Sequence, residues 1–266
     1  LAGGERLARA ALLRFGRSFP ELRHLPPNDP RLHFALQFES TIPLQVGLAG
    51  SSAIIIAALR ALALWFAVHL PEEPLAAMAL AAEVEELGIT AGPMDRLSQA
   101  FGGVLLMDFS EAPGAHRPRR VPVEGLPPLL VAWDPSGSEP SGAVHQDVRE
   151  RWLAGDEAVC AAMARLPELV DEGMRALEEH DVAGFQAAVN ENFDTRASIW
   201  NVRPRDHEMI AIARDRGAAA KFAGSGGAVV AVVRSEDERP DLEAAYREAG
   251  YPTLRPTVAP ETGRLP

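Results

Sequence analysis

The sequence predicts an α+β protein of two domains. Helix-period and strand-period segments alternate along it without the regular strand–helix–strand rhythm of a doubly wound sheet. A Pro-, Gly- and Arg-rich stretch at residues 112–122, followed by Pro127 and Pro128, interrupts the pattern near its middle. The length of 266 residues suits one large or two modest domains. The boundary is placed at residue 124, giving an N-terminal domain of residues 1–124 and a C-terminal one of residues 125–266.

Each element follows from local pattern. Residues 5–15 read as an amphipathic helix, with Leu7, Ala11 and Phe15 on one face and Arg6, Arg9 and Arg14 around the rest. Prolines at residues 26–30 break it. Leu32, Phe34, Leu36 and Phe38 then alternate with His33, Ala35 and Gln37, which predicts a strand. A turn over residues 42–50 leads into a long apolar helix at 51–68, and a second helix is expected at 73–87. Asp95 opens a further helical stretch, and Gly102 and Gly103 precede a strand at 104–109. Beyond the seam, a buried strand is expected at 129–133 and helices at 144–153, 157–180, 182–200 and 205–216. Strands at 218–222 and 228–233 flank a glycine loop, and a helix at 241–250 closes the pattern.

Composition narrows the function classes. With 47% apolar residues the chain is globular rather than disordered. Its 26 Lys+Arg stand against 37 Asp+Glu, a net charge of −11 that argues against a nucleic-acid surface but leaves room for a local anion site. The most apolar stretch, residues 53–70, carries Arg60 in its middle, so no membrane span is expected. Cys160 stands alone and has no intrachain disulfide partner, which points to a cytoplasmic setting. Oligomeric state leaves no trace in the sequence.

Three segments could carry chemistry. The first reads Gly47, Leu48, Ala49, Gly50, Ser51, Ser52, Ala53, between a predicted strand and the apolar helix. Glycines there allow a ligand close to the backbone, and free N–H groups at a helix start favour an anion. A plain turn with Ser51 or Ser52 as N-cap is the simpler alternative. No lysine follows, so this is not a Walker A loop. In the second segment, Glu83, Glu85 and Glu86 end a helix and Asp95 follows a Gly-Pro break. Glu85 and Glu86 read as a solvated face, whereas Glu83 can point inward. Asp95 is either a first-turn acid favoured by the helix dipole or an acid that orients and deprotonates a hydroxyl. The third segment is Gly224, Ser225, Gly226, Gly227, one glycine more than a hairpin needs, just after Lys221, the chain's sole lysine.

Together, in this order, these segments resemble the GHMP kinases, the superfamily of galactokinase, homoserine kinase and mevalonate kinase. Residues 47–53 resemble its phosphate-binding motif and residues 224–227 its C-terminal glycine motif. Glu83 and Asp95, 12 positions apart (95 − 83), resemble the spacing of a magnesium-ligand glutamate and a catalytic aspartate in galactokinases. The strings Gly-Leu-Ala-Gly-Ser-Ser-Ala-Ile, Glu-Leu-Gly-Ile-Thr-Ala-Gly-Pro-Met-Asp-Arg and Lys-Phe-Ala-Gly-Ser-Gly-Gly-Ala-Val-Val are most similar to the glucuronokinases. The resemblance implies an S5-domain-2-like N-terminal domain and a ferredoxin-like C-terminal domain. It also implies a start before Leu1, since the family's first strands have no counterpart here.

The implied activity is phosphorylation of the anomeric hydroxyl of a sugar acid, glucuronate, with ATP and Mg²⁺ as cofactors. Galactose, fucose and heptose kinases, or a catalytically impaired GHMP-fold protein, are the alternatives. The small-molecule sugar acid and ATP are then the partners, with neither nucleic acid nor membrane. Under the resemblance Asp95 is the catalytic aspartate that accepts the hydroxyl proton, and residues 47–53 and 224–227 bind the nucleotide. Ser52 and Glu83 hold the metal, and Arg96 is a candidate for the sugar carboxylate, with Arg149, Arg151 and Arg196 as further candidates.

Overall fold

A computed structural model describes residues 3–43, 45–110, 118–137 and 141–258. Leu44, Ser138 and much of the 112–122 stretch lie outside the described residues. The chain divides into two units, one of residues up to Ile42 with Ala49–Val123 and Val258, the other of Pro43–Leu48 with Glu124–Thr257. The short excursion of Pro43–Leu48 into the second unit has no counterpart in the sequence-based boundary.

The first unit is mainly helical: α1 (Gly3–Ser18), α2 (Gly50–Trp65), α3 (Glu72–Ala81) and α4 (Met94–Phe101). β1 (Val104–Leu106) pairs antiparallel with β2 (Arg119–Val121). Leu7, Ala11 and Phe15 recur at four-residue spacing and bury one stripe of α1. They pack with Ile55, Leu59 and Leu62 of α2, Leu75 and Ala79 of α3, and Leu97 and Ala100 of α4. The many alanines in this core let helix backbones approach closely, and each buried leucine contributes about 2 kcal/mol. Arg60 of α2 ties α4 in place by donating to the Gln99 and Ala100 carbonyls at 3.1 and 2.9 Å.

The expected strand at residues 32–38 is not formed. The chain makes a 3-10 turn at Pro30–Leu32 and then runs on irregularly. The alternation survives as burial only at its centre, where Phe34 and Leu36 pack on the core between exposed His33, Ala35 and Gln37, while Leu32 and Phe38 at the ends are exposed. A period of two fixes which side chains face inward, but a strand also needs a paired neighbour, and none pairs with this segment among the described residues.

In the second unit β3 (Leu129–Trp133) is followed by α5 (Ser141–Leu153), α6 (Glu157–Glu178), α7 (Val182–Ile199) and α8 (Pro204–Arg214). Then come β4 (Ala219–Phe222), β5 (Ala228–Val232), α9 (Arg239–Glu248) and β6 (Thr253–Leu254). The sheet order is β4-β5-β3-β6 with every pairing antiparallel. This is the ferredoxin-like order. Leu130, Val229 and Ala231 face a core completed by Phe193, Met209, Ile210, Leu242 and Tyr246. Asp156 and Asp181 cap α6 and α7 through their side chains, which fixes where both helices begin.

Candidate active site

The segment at residues 47–53 begins where the chain must turn sharply. Gly47 has φ +78°, and a Cβ there would lie 2.3 Å from the Gly226 carbonyl oxygen. Only glycine permits that approach. Gly224 is equally constrained, since its Cβ would fall 2.7 Å from the Gly47 oxygen. The two glycine segments of the second unit therefore touch backbone to backbone.

Neither Ser51 nor Ser52 is the cap of α2. The N-cap is Ala49, held at φ +55°, and its side chain can cap nothing. Ser52 is 1% exposed, and its hydroxyl donates to the Ala49 carbonyl at 3.0 Å. Gln99, one turn along α4 from Asp95, donates to the same carbonyl at 2.9 Å and leaves its Oε1 buried without a hydrogen-bond partner. Among the described residues no acceptor takes the N–H groups of residues 47–52. A helix start left uncapped keeps N–H donors open, and such donors suit an anion.

Glu83 lies in a π-helical turn, Ala82–Glu86, that continues α3. The wider turn rotates Glu83 inward, where it is 1% exposed, and closes with the Ile89 N–H bonded to the Glu83 carbonyl at 2.9 Å. Glu85 is half-exposed and pairs with Arg14. The expectation of a solvated Glu86 is corrected: its side chain is 4% exposed and clamped by Arg17 at 2.6 Å, because α1 packs across the turn.

Glu83 Oε2 receives the Arg96 guanidinium through Nε at 2.5 Å and through Nη2. Burial pushes the Glu83 carboxyl above its ordinary range, although the Arg96 charge opposes that. Arg96 is 7% exposed and also donates to the Gly92 carbonyl at 2.9 Å. Asp95 sits in the first turn of α4, half-exposed, with Oδ2 3.4 Å from Arg96 Nη1. The first unit thus brings Glu83, Asp95 and Arg96 together, with Arg96 held between the two acids. Arg151 is likewise engaged, by Asp156 at 3.0 Å and the Ile199 carbonyl at 3.0 Å, and Arg149 is exposed.

In the second unit Asp206 organises the loop of residues 224–227. It is 2% exposed, accepts the Gly227 N–H at 3.0 Å, and is held by a fork of two 2.9 Å bonds from Arg203. Buried Asp134 meets Arg205 at 3.1 Å and takes two bonds from Ser136, and these hold its carboxyl below the ordinary value against desolvation by burial. Sequence reasoning missed Gln99, Arg203, Asp206 and Asp134. Gln99 had a usable signal in its i+4 spacing from Asp95, and Arg203 and Asp206 had one in their i+3 spacing at a helix start.

Family models for the GHMP kinases N terminal domain and GHMP kinases C terminal match residues 6–103 and 174–252. The chain belongs to the GHMP kinase family. It is 38% identical to Glucuronokinase 1 of Arabidopsis thaliana over 248 residues, covering 88% of this chain and 67% of the relative. It is 40% identical to Probable glucuronokinase 2 of the same plant over 238 residues, covering 84% of this chain and 64% of the relative. The chain therefore spans about two thirds of the length of these relatives. Mevalonate kinase of Methanococcus jannaschii superposes with a TM-score of 0.69 at 16% identity, covering 93% of this chain and 73% of that one. That likeness shows the fold. No helix among the described residues is long and apolar enough to cross a membrane.

Proposed function

We propose that this protein is a sugar-1-kinase that transfers the γ-phosphoryl group of ATP to the anomeric hydroxyl of glucuronate. The observation that carries the reading is the unpartnered run of N–H groups at residues 47–52. It occurs in a chain 38–40% identical to glucuronokinases over most of its length. In the reaction the anomeric oxygen forms a bond to the γ-phosphorus as the bond to the β,γ-bridging oxygen breaks. ADP leaves, and the hydroxyl proton passes to a carboxylate.

Each segment has a part in this reading. Phosphoryl transfer asks the protein mainly for positioning and charge neutralisation. The N–H groups of residues 47–52 take phosphate oxygens, and residues 224–227 supply further backbone contacts to the nucleotide. Asp95 orients the hydroxyl and accepts its proton. Ser52 and Glu83 offer the hard oxygen donors that Mg²⁺ takes alongside phosphates and water. The donor set fits, because Glu83 Oε1 takes no hydrogen bond among the described residues. When bound, the ion would neutralise phosphate charge. Arg96 then acts on Glu83 rather than on the sugar.

Two measurements test this. Steady-state turnover with ATP should favour glucuronate over glucose and galactose; preference for a neutral sugar overturns the glucuronate assignment. Glu83→Gln should raise the Mg²⁺ concentration needed for half-maximal rate several-fold while Glu85→Gln leaves it unchanged. Identical titrations for the two variants would remove Glu83 from the metal site.

A further inference from the structure

Arg196 and Lys221 differ from Arg96, Arg151 and Arg203, each of which meets a carboxylate. Arg196, on α7, donates to the Gly224 carbonyl at 2.8 Å, and its guanidinium lies 4.0 Å over the Trp200 ring and 5.3 Å from the centre of Phe222. Lys221, at the end of β4, donates to the Phe222 carbonyl at 2.9 Å. Both side chains thus converge on Phe222, at the start of the 224–227 loop. Neither forms an ion pair with a carboxylate among the described residues.

Two like charges withdrawn from water beside one another are costly unless an anion joins them. The cost is visible in both groups: burial pushes Arg196 down to about 10, and burial with the Arg196 charge pushes Lys221 down to about 8. The N–H groups of Gly224, Ser225 and Gly226 likewise find no acceptor among the described residues. One turn before Arg196, Asn192 Oδ1 is buried without a hydrogen-bond partner, a further polar atom left for a ligand.

We propose that Arg196 and Lys221 form an oxyanion site at the 224–227 loop, and that its occupant is the carboxylate of the sugar acid. This rests on the kinase reading given above and names the residues that select its substrate. Of the arginines available for a carboxylate, Arg96 is taken by Glu83 and Arg151 by Asp156, while Arg149 is exposed. A guanidinium stacked on an aromatic ring presents its free edge in a fixed plane, which matches the planar fork of a carboxylate. Phosphate oxygens share this chemistry; the kinase reading gives them the backbone N–H groups of residues 47–52 and 224–227, which leaves the Arg196 and Lys221 side chains for the carboxylate.

Because Lys221 is the only lysine in the sequence, the wild-type protein reports on the site directly. Acetylation by an amine-reactive ester, followed by mass spectrometry of the peptide containing Lys221, measures its accessibility apart from the terminal amine. Glucuronate should slow modification at least fivefold, while glucose at equal concentration and inorganic phosphate should not. Protection by phosphate but not by glucuronate would overturn the proposal and make the pair a phosphoryl site. In kinetics, Lys221→Met and Arg196→Met should each raise the KM for glucuronate tenfold or more and leave the KM for ATP within about twofold. Lys221→Arg should recover part of that loss. Turnover of glucuronate by wild type, with no protection of Lys221 and equal losses on glucuronate and glucose in the variants, sinks the proposal and spares the kinase reading. No wild-type turnover of glucuronate, alongside turnover of a neutral sugar, removes both.

Discussion

Asp95 and Lys221 show how much a single side chain's surroundings decide. Asp95 is half-exposed and makes one long contact, to Arg96. Asp95→Asn should therefore leave the urea denaturation midpoint nearly unchanged, while turnover falls more than tenfold, at least about 1.4 kcal/mol of transition-state stabilisation. A variant keeping more than a tenth of the rate would make Asp95 an ordinary first-turn acid. Lys221 holds its proton less tightly in the fold, at about 8, than at the ordinary 10.5. Between those values the unfolded chain binds the extra proton, so stability rises as pH climbs from 8 to 10.5 and the penalty stands in full below 8. The rise should reach roughly 3 kcal/mol. Urea denaturation of wild type against Lys221→Met at both pH values measures it, since the variant lacks this contribution.

Among the elements, the glycine turns and the π-helical turn set the site's geometry. Gly47→Ala meets two penalties, a left-handed φ and a Cβ 2.3 Å from the Gly226 oxygen. Gly88 has φ +66° with nothing within 4 Å, so Gly88→Ala meets only the first, about 1–2 kcal/mol. Chemical denaturation should rank Gly47→Ala clearly below Gly88→Ala, with the KM for ATP raised in the former alone; equal stabilities would mean that the Gly47 contact yields without cost. Elements with strong periodicity were legible in the sequence: the strand at Leu129–Trp133 and the helices from α6 to α8 fall within a few residues of expectation. The segment at residues 32–38 misled because alternation encodes burial, not pairing. The π-helical turn was illegible because its extra residue per turn leaves no compositional mark, yet it is what separates Glu83 from Glu85 and Glu86.

At the scale of the whole molecule, the family could be read from a few glycine-rich strings, because backbone approach admits so few residue types. What the sequence withheld was which charges are already spent. Arg96, Arg151 and Arg196 look alike as letters, and only packing shows that the first two are neutralised by acids while the third rests on Trp200. The contact of Gly47 with Gly224 and Gly226 has a further consequence, in time. The two sides of that contact are separated by about 180 residues, so at roughly 5–20 residues per second the first side waits on the order of 10–40 s on the ribosome for its counterpart. Throughout synthesis the turn at Gly47 leaves the ribosome early and is braced late. A ribosome that stalls before β4 holds a chain that has already made Gly47 and the whole of α2 and has nothing yet to brace the turn between them.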